Sequence, residues 1–336
     1  MAKNVIIMGA TSGIGEALAA RFAELGCDIA IAGRREDRLA SIADRLRADT
    51  GCRVVTAAVD VRSESAPEKI RAMAEELGGL DLYIHSSGIG RENPELDPAI
   101  ETGTAETNAL GFVRCVGAAV AILEEQGRGG QVAAISSVAA TRGLGIAPAY
   151  SATKALQANY LEALRQRSKA KKTDIRVTDI RPGFVATPLI AGRSYPATMP
   201  LSYAADRIAQ AILAKRRVAW IDWRYMLLCA AWKLLPGVAW EAIPAGFVPF
   251  ETPEGAAKAG AAAKDAAQTA AREAKKAAKK FSLFAKKAAS GRNAAAKAAE
   301  PAASPAAPEA EAAPEPAARP EPAPEAKSDG SAAPKA

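Results

Sequence analysis

The sequence predicts a doubly wound α/β fold with one parallel sheet, because short apolar segments alternate with segments of helical periodicity over residues 1–222. The apolar segments are nearly continuous and rich in Val, Ile, Leu and Ala, which is typical of strands buried on both faces. The segments between them repeat their apolar residues at helical spacing. Alternation of this kind predicts right-handed crossovers between parallel strands.

The elements follow each other in regular order along the chain. Seven strands are predicted, at Asn4–Met8, Asp28–Ala32, Arg53–Ala58, Leu80–His85, Gln131–Ser136, Ile175–Ile180 and Arg217–Ile221. Six helices are predicted, at Ile14–Leu25, Glu36–Ala48, Glu64–Leu77, Thr102–Glu125, Ala149–Lys169 and Tyr203–Ala214. A fold of this kind binds its ligands beyond the carboxyl ends of the strands.

Composition argues against several classes of protein. The four cysteines, Cys27, Cys52, Cys115 and Cys229, have no CxxC spacing, so neither a disulfide scaffold nor a Cys-based zinc site is expected. His85 is the only histidine, which argues against a Ser-His-Asp triad and a His-rich metal site. Residues 1–10 lack the parts of a signal peptide, and no run of 18 uncharged apolar residues predicts a spanning helix. We expect no metal and a cytoplasmic location.

A glycine-rich turn follows the first strand and comprises Gly9, Thr11, Ser12, Gly13, Ile14 and Gly15. Gly9 permits the sharp turn, and Gly13 and Gly15 would let the backbone approach a pyrophosphate resting on the helix N-terminus. A purely structural strand-to-helix turn can use the same residues. The position of the turn on the first strand of an α/β chain favours dinucleotide binding.

The end of the second strand bears on the choice of dinucleotide. A site for NAD requires a carboxylate there for the ribose 2′-hydroxyl, whereas this chain has Arg34 and Arg35. Guanidinium groups suit a 2′-phosphate, so the pair favours NADP(H) over NAD(H). The alternative is that both arginines belong to a solvated start of the second helix.

Tyr150 and Lys154 are four residues apart on a predicted helix, so both lie on one face with the ammonium near the phenol. A lysine cation and an oxidised nicotinamide would together lower the phenol pKa and make it an acid/base. Spacing of this kind also occurs on helices that only pack. Ser137, at the end of the fifth strand, and Asn108, on the preceding long helix, favour the catalytic interpretation.

These elements resemble the short-chain dehydrogenase/reductase family over residues 3–222, in the family's order. The matching residues are the glycine turn, Asp60-Val61, Asn108, Ile135-Ser136-Ser137, Tyr150 to Lys154, and Arg181 to Thr187. The resemblance implies a Rossmann-type seven-stranded fold and an enzyme that transfers hydride between NADP(H) and a carbonyl or alcohol carbon. It also implies pairing into a homodimer or homotetramer through the helices predicted at Thr102–Glu125 and Ala149–Lys169.

The resemblance implies a role for each matched residue. Tyr150 would be the general acid/base, Ser137 would hydrogen-bond the substrate oxygen, and Lys154 would lower the phenol pKa and hold the nicotinamide ribose. Asn108 would hold a water that links Lys154 to solvent, and Asp60 would meet the adenine amino group. Further cofactor contacts are implied at Val61, Ser87, Gly88, Pro182, Gly183, Val185 and Thr187, the last toward the carboxamide.

One motif departs from the family pattern. Members usually carry Asn-Asn-Ala-Gly after the fourth strand, and this chain has His85, Ser86, Ser87 and Gly88. The favoured interpretation of His85 is a structural histidine that replaces an asparagine hydrogen bond between strands. A pH-sensitive group near the cofactor is the alternative.

All four tryptophans lie in a short stretch that begins at the seventh strand: Trp220, Trp223, Trp232 and Trp240. Leucines and basic residues accompany them across the predicted C-terminal segment 223–252, a composition typical of a helix at a membrane interface. The alternative is a segment that packs on the body of the protein or on a partner subunit. An interfacial segment beside the cleft would suit a lipid-like ketone.

The last 84 residues, 253–336, hold 35 alanines and so offer little to bury. Residues 253–299 are rich in Ala and Lys and predict a partly helical arm, and residues 300–336, rich in Ala, Pro and Glu, predict disorder. Attachment to anionic lipid or nucleic acid competes with a simply solvated tail. The alternatives to an enzyme are a nucleotide-sensing module and an interaction protein that acts through this tail.

Overall fold

The computed structural model describes residues 4–191, 195 and 197–243. Seven strands form one fully parallel sheet in the order β3-β2-β1-β4-β5-β6-β7. The strands are β1 Asn4–Met8, β2 Asp28–Gly33, β3 Val54–Ala58, β4 Leu82–His85, β5 Gly130–Ile135, β6 Ile175–Pro182 and β7 Val218–Ile221. The strand order reverses between β1 and β4, and this is where a doubly wound sheet opens its ligand crevice.

Helices connect the strands and cover both faces of the sheet. They are α1 Gly13–Glu24, α2 Glu36–Thr50, α3 Ala66–Leu77, α4 Pro98–Ala105, α5 Gly111–Gln126, α6 Pro148–Lys171, α7 Leu201–Leu213, α8 Trp223–Leu234 and α9 Gly237–Glu241. A π-helical turn, Glu106–Leu110, joins α4 to α5 without a break. Two short 3₁₀ helices, Val138–Thr141 and Pro188–Ile190, follow β5 and β6.

Side chains of β1 alternate between two apolar cores, as the two-residue period of a strand requires. Val5 and Ile7 face the core shared with α1, α2 and α7, and Ile6 and Met8 face the core shared with α3 and α5. All four of these side chains are fully buried. The sheet is therefore covered on both faces, and its ligand edge is fixed between two packed layers.

The seven predicted strands and six predicted helices all exist, with boundaries shifted by at most four residues and those of β1 as predicted. The largest shift concerns the long helix expected at Thr102–Glu125, which begins at Pro98. Asp97 caps it by accepting a hydrogen bond from the Ala99 N–H at 2.8 Å. An Asp-Pro pair at the N-cap and first helical position is a start signal that the sequence carries.

The helical stretch Pro98–Gln126 is long and apolar enough to cross a membrane by length and composition, with a mean hydropathy of 1.3 in its most apolar window. No spanning helix was expected from the run of uncharged residues. Half of that window is buried inside the protein. Phe112, Cys115 and Val116 are fully buried against the sheet, as in the core helix of a globular domain.

The predicted C-terminal segment is described as far as residue 243, where it forms α8 and α9. Tyr225 and Cys229 of α8 are buried in the same core as β6 and β7. This part of the segment packs on the body of the protein. Residues 244–252, the predicted arm 253–299 and the predicted tail 300–336 lie outside the described residues, and the domain boundaries proposed there stay predictions.

Candidate active site

The glycine turn connects β1 to α1 across the end of β2. The Gly9 and Ala10 N–H groups both donate to the Ala32 carbonyl, at 2.8 and 3.0 Å. Gly9 has a φ of +88°, and a Cβ there would lie 2.6 Å from the Ser87 nitrogen. Only glycine fits such a position, because the turn combines a left-handed backbone with close contact to the β4 loop.

Gly13 and Gly15 have different roles from each other. Gly13 borders the cleft opposite Thr187, whose Cβ would lie 3.4 Å from an added Cβ. Gly15 does not line the cleft, and a Cβ on it would lie 2.2 Å from the Gly9 carbonyl oxygen. Glycine at position 15 therefore lets α1 pack against the turn, and the cofactor contact expected at Gly15 stays a prediction.

Two arginines extend from the end of β2 into the same cleft. One Arg35 nitrogen donates to the Thr11 hydroxyl at 2.7 Å, the Thr11 carbonyl at 3.1 Å and the Ser12 hydroxyl at 3.0 Å. Arg34 lines the cleft with its exposed guanidinium. Positive charge thus borders the glycine turn on the side where β2 ends.

Asp60 lies at the end of β3 and also lines the cleft. Its carboxylate accepts hydrogen bonds from the Arg62 guanidinium at 2.6 and 3.1 Å. That hydrogen bonding holds the pKa of the Asp60 carboxyl below its usual value, with partial burial opposing the shift. Asp60 is ionised at neutral pH and acts as an acceptor at the edge of the cleft.

Ser137, Tyr150 and Lys154 meet in the cleft at the carboxyl ends of β4, β5 and β6. Ser137 directly follows β5, and Tyr150 and Lys154 lie one turn apart on α6. The Lys154 ammonium lies 5.8 Å from the centre of the Tyr150 ring. The arrangement brings a hydroxyl, a phenol and a cation to one place.

Burial shifts both titratable groups of this trio. It raises the pKa of the Tyr150 phenol, and a hydrogen bond with Ser137 opposes that shift. It lowers the pKa of the Lys154 ammonium to about 8, and the charge of Asp179 opposes that shift. Both shifts follow because a buried site disfavours the charged form of any group. The protein alone therefore keeps the phenol protonated at neutral pH.

Asn108 lies in the π-helical turn, is fully buried and does not line the cleft. Its side-chain oxygen accepts from the Ile89 N–H at 2.9 Å, and its side-chain nitrogen donates to the Ile89 carbonyl at 2.7 Å. Its own backbone carbonyl accepts a hydrogen bond from Gln157 at 2.8 Å. Asn108 holds the loop after β4, and the water link suggested for it stays a prediction.

The cleft continues past Ser137, Tyr150 and Lys154 toward the C-terminal helices. Its far part is lined mainly by apolar and aromatic side chains: Leu144, Ile146, Phe184, Leu189, Tyr195, Leu228, Trp232, Trp240 and Ile243. Arg142 holds α8 and α9 in place, because its guanidinium donates to the Trp232 and Leu235 carbonyls and lies 5.7 Å from the Trp240 ring centre. The Trp-rich segment thus forms a wall of the cleft.

Most of the site residues expected from sequence line this one cleft of about 1510 Å³, the exceptions being Gly15 and Asn108. Sequence reasoning missed Arg142 and Gln157. The side chains of Phe184 and Tyr195 stack at 4.1 Å, and the Tyr195 hydroxyl donates to Glu92. No local signal marks Arg142 and Gln157, because each acts through a contact distant in the chain. Among the described residues, no group of three or more His, Cys, Asp or Glu is arranged to hold a metal.

Comparison with known proteins agrees with this geometry. Residues 3–195 match the family model for short chain dehydrogenases. The chain belongs to the short-chain dehydrogenase family. An uncharacterized oxidoreductase of Myxococcus xanthus is 35% identical over 197 residues, covering 58% of this chain and 76% of that protein. Sulfoacetaldehyde reductase 2 of Chromohalobacter salexigens is 33% identical over 191 residues, covering 56% of this chain and 74% of that protein.

A solved structure gives the same result for this short-chain dehydrogenase. The alcohol dehydrogenase of Thermococcus sibiricus, complexed with 5-hydroxy-NADP, aligns with a TM-score of 0.57 at 26% identity. The alignment covers 65% of this chain and 94% of that structure. The protein is therefore an oxidoreductase of alcohol and carbonyl groups with a fold that binds a nicotinamide cofactor.

The residues of this short-chain dehydrogenase fit such a cofactor. The cleft follows the glycine turn, where Gly13 faces the cleft without a side chain. Ser12 at the N-cap of α1 makes no capping hydrogen bond with its side chain, so the first N–H groups of the helix remain available for phosphate oxygens. The cleft then passes Lys154 and Tyr150 and reaches Thr187.

Proposed function

We propose that the protein is an NADPH-dependent carbonyl reductase that acts on ketones with apolar substituents. The observation that carries this proposal is the single cleft in which Ser137, Tyr150 and Lys154 stand between the glycine turn and an apolar wall. The cleft is wide enough for a dinucleotide and a substrate together, since ordinary ligand pockets measure about 300–1,000 Å³.

The bound cofactor would supply a hydride at its nicotinamide ring. Tyr150 donates its phenolic proton to the carbonyl oxygen, for which burial is suitable because it keeps the phenol protonated. Ser137 hydrogen-bonds the same oxygen and orients the carbonyl. Lys154 holds a ribose hydroxyl and stabilises the phenolate that forms, because its positive charge lies on the same helix one turn away.

Preference for NADP(H) over NAD(H) is supported by charge at the end of β2. Arg34 faces the cleft, and Arg35 is fixed beside it on the Thr11 and Ser12 hydroxyls. Planar guanidinium groups bind phosphate oxygens in pairs. Asp60, a carboxylate that lines the cleft, is already paired with Arg62 and so does not take the place of a ribose-binding carboxylate.

The substrate class is supported by the far part of the cleft. Leu144, Ile146 and Leu228 line it together with Trp232 and Trp240. Burial of apolar substrate surface contributes about 25 cal/mol per Å², so longer acyl or alkyl substituents should bind more tightly there. A lipid-like ketone therefore fits this apolar part of the cleft better than a small charged aldehyde does.

The outer side of α8 and α9 supports peripheral contact with a membrane. Trp223, Leu227, Leu234 and Val238 expose 63, 54, 85 and 64% of their surface, while Tyr225 and Cys229 of the same region are buried. An apolar face that carries tryptophan is typical of helices lying in the headgroup region. The location proposed is the cytoplasm, with this face resting on the inner membrane surface beside the cleft.

Assembly into a homodimer or homotetramer forms part of the same proposal, since members of this family are commonly oligomeric. The exposed apolar side chains of Leu110, before α5, and Leu156, on α6, support pairing through these two helices. Light scattering coupled to size-exclusion chromatography measures the molar mass directly. A monomer at micromolar concentration would contradict this part of the proposal.

The deciding experiment measures NADPH oxidation by the purified protein with ketones of graded chain length, beside NADH and a Tyr150→Phe variant. Removing the acid should lower kcat by about a hundredfold to ten-thousandfold and leave the Kd for NADPH unchanged. The ratio kcat/KM should rise with chain length. Tight NADPH binding with no turnover of any ketone would favour a nucleotide-sensing module and contradict the reductase.

A further inference from the structure

Gln157 lies on α6 one turn after Lys154, and only 1% of its surface is exposed. Both ends of its amide are used. The side-chain oxygen accepts a hydrogen bond from the Lys154 ammonium at 3.0 Å, and the side-chain nitrogen donates to the Asn108 carbonyl at 2.8 Å. Gln157 therefore connects the catalytic lysine to the backbone of the π-helical turn.

The orientation of this amide follows from its neighbours. A backbone carbonyl accepts and an ammonium donates, so the nitrogen of Gln157 must face Asn108 and the oxygen must face Lys154. Asn108 is itself fixed, because its side chain holds both backbone groups of Ile89. The acceptor presented to Lys154 thus rests on a rigid chain of hydrogen bonds.

The Lys154 ammonium has three N–H groups. One donates to Gln157 and a second donates to the Ile135 carbonyl at 2.9 Å. The nitrogen lies 3.6 Å from the Cβ position of Gly88, at the floor of the cleft. With two N–H groups taken by the protein, the third is left for a group bound in the cleft, which Lys154 lines.

Both acceptors of Lys154, the Gln157 side-chain oxygen and the Ile135 carbonyl, are neutral, so neither cancels the charge of the ammonium. The titratable groups facing Lys154 are Tyr150 on its own helix, His85 on β4 and Asp179 on β6. Asp179 is already bound by Ser136 and Arg181, at 2.6 Å from the latter. The ammonium is therefore held by dipoles, and no contact with a carboxylate cancels its charge among the described residues.

We infer that Gln157 is a positioning residue of the reaction: it fixes the Lys154 ammonium by a neutral hydrogen bond and so leaves its full charge to act on Tyr150 and on the cofactor. The inference rests on the proposed function. A carboxylate at position 157 would still accept from the lysine, but it would neutralise the ammonium and would have no donor for the Asn108 carbonyl. A leucine would fill the same space and provide no acceptor.

The two substitutions should shift the pKa of Lys154 in opposite directions. Gln157→Leu removes a hydrogen bond to a buried cation, which lowers the pKa of Lys154, and Gln157→Glu adds an opposite charge, which raises it. The pH at which NADPH binding weakens should therefore fall in the leucine variant and rise in the glutamate variant. Each variant should lose about tenfold in kcat, because each changes either the position or the charge of the lysine.

The experiment measures the Kd of NADPH by fluorescence between pH 6 and 10, with kcat measured on the best ketone. Gln131→Leu is the matched control, since Gln131 is also buried and its amide donates to Thr178 and to the Ile212 carbonyl at the opposite end of β5. It should lose thermal stability and keep the wild-type pH midpoint and kcat.

Opposite shifts of the pH midpoint in the leucine and glutamate variants would support the positioning role. Unchanged midpoints in both variants, or shifts in one direction only, would overturn it. The binding curve does not require turnover, so this result is separable from the reductase proposal. An absence of ketone reduction by the wild-type protein would count against the proposed function alone.

Discussion

The His85 imidazole is hydrogen-bonded through Nδ1 to the Tyr83 hydroxyl, at 3.1 Å, and both side chains are buried. The ring also contacts Phe112 edge-on, with 5.2 Å between the ring centres. Its Nε2 atom is buried and has no hydrogen-bond partner among the described residues. Tyr83 lies on the same strand as His85, so this hydrogen bond does not join two strands as the sequence analysis expected, and the structural role of His85 stays a prediction.

This environment predicts a loss of stability in acid. Burial, followed by the charge of Lys154, lowers the pKa of His85 to about 3. Between pH 6.5 and 3 the unfolded chain binds a proton that the folded chain does not, so the free energy of unfolding should fall by about 1.4 kcal/mol per pH unit. His85→Asn should remove this dependence. Urea unfolding at pH 7, 6 and 5 measures the difference between the two proteins.

The Tyr83 phenol and the Cys115 thiol, both buried, do not contribute to the pH dependence of stability in that measurement. Burial raises the pKa of both groups, Cys115 to about 12, so neither titrates between pH 5 and 7. An equal decline of stability in the wild-type and His85→Asn proteins would show that the imidazole is protonated in the folded state.

Arg34 should determine the choice of cofactor. In Arg34→Asp a carboxylate replaces the guanidinium at the end of β2, which removes a phosphate contact and adds repulsion. The ratio of kcat/KM for NADPH to that for NADH should fall by about a hundredfold. Arg38→Asp is the matched control, because Arg38 lies on α2, pairs with Glu16 at 3.5 Å and does not line the cleft. Equal effects of the two substitutions would indicate that the preference for NADPH depends on the overall positive charge of this region and not on Arg34 itself.

Lys154 should give cofactor binding a pH dependence. Burial lowers its pKa to about 8, so the ammonium loses its charge as the pH rises through that value. The Kd for NADPH should therefore increase above pH 8, since the attraction to ribose and phosphates is lost. Lys154→Arg keeps its charge at all accessible pH values and should bind with no midpoint near 8. Fluorescence titration of NADPH measures both proteins, and a wild-type Kd constant to pH 10 would contradict the assignment.

Much of the fold could be predicted because the strands are continuous apolar runs and the sheet is buried on both faces. Ile6 and Ile7 have no exposed surface, so hydrophobicity alone located β1. The start of the long helix at Pro98 was missed because the Asp-Pro signal precedes the apolar repeat. Its π-helical turn at 106–110 has no marker in composition, since an extra residue per turn depends on the packing around Asn108.

In the site, contacts between residues close in the chain could be predicted, and contacts between distant residues could not. Tyr150 and Lys154 could be paired by spacing, because helix geometry brings residues four apart together. Gln157 could not be assigned, since its partner Asn108 is 49 residues away in the chain. Gly15 was expected beside a phosphate, but only the fold shows its closeness to the Gly9 carbonyl. The sequence analysis considered a place beside the cleft for the Trp-rich segment, but only the fold shows that Trp232 and Trp240 line it.

The glycine turn allows a prediction with a close internal comparison. Gly9→Ala places a Cβ 2.6 Å from the Ser87 backbone at a φ of +88°, so the β4 loop must move. Because that loop carries Ser87 and Gly88 along the cleft, we expect the affinity for NADPH to fall by at least tenfold and the protein to lose several kcal/mol of stability, roughly in the range of a severe core substitution.

Gly26→Ala has a similar φ of +74° but meets no atom within 4 Å. It should cost only about 1 kcal/mol and leave NADPH binding unchanged, because it adds backbone strain without a collision. Thermal unfolding with and without NADPH compares the two variants. Equal losses in both would mean that backbone conformation alone, and not the contact with Ser87, requires glycine at position 9.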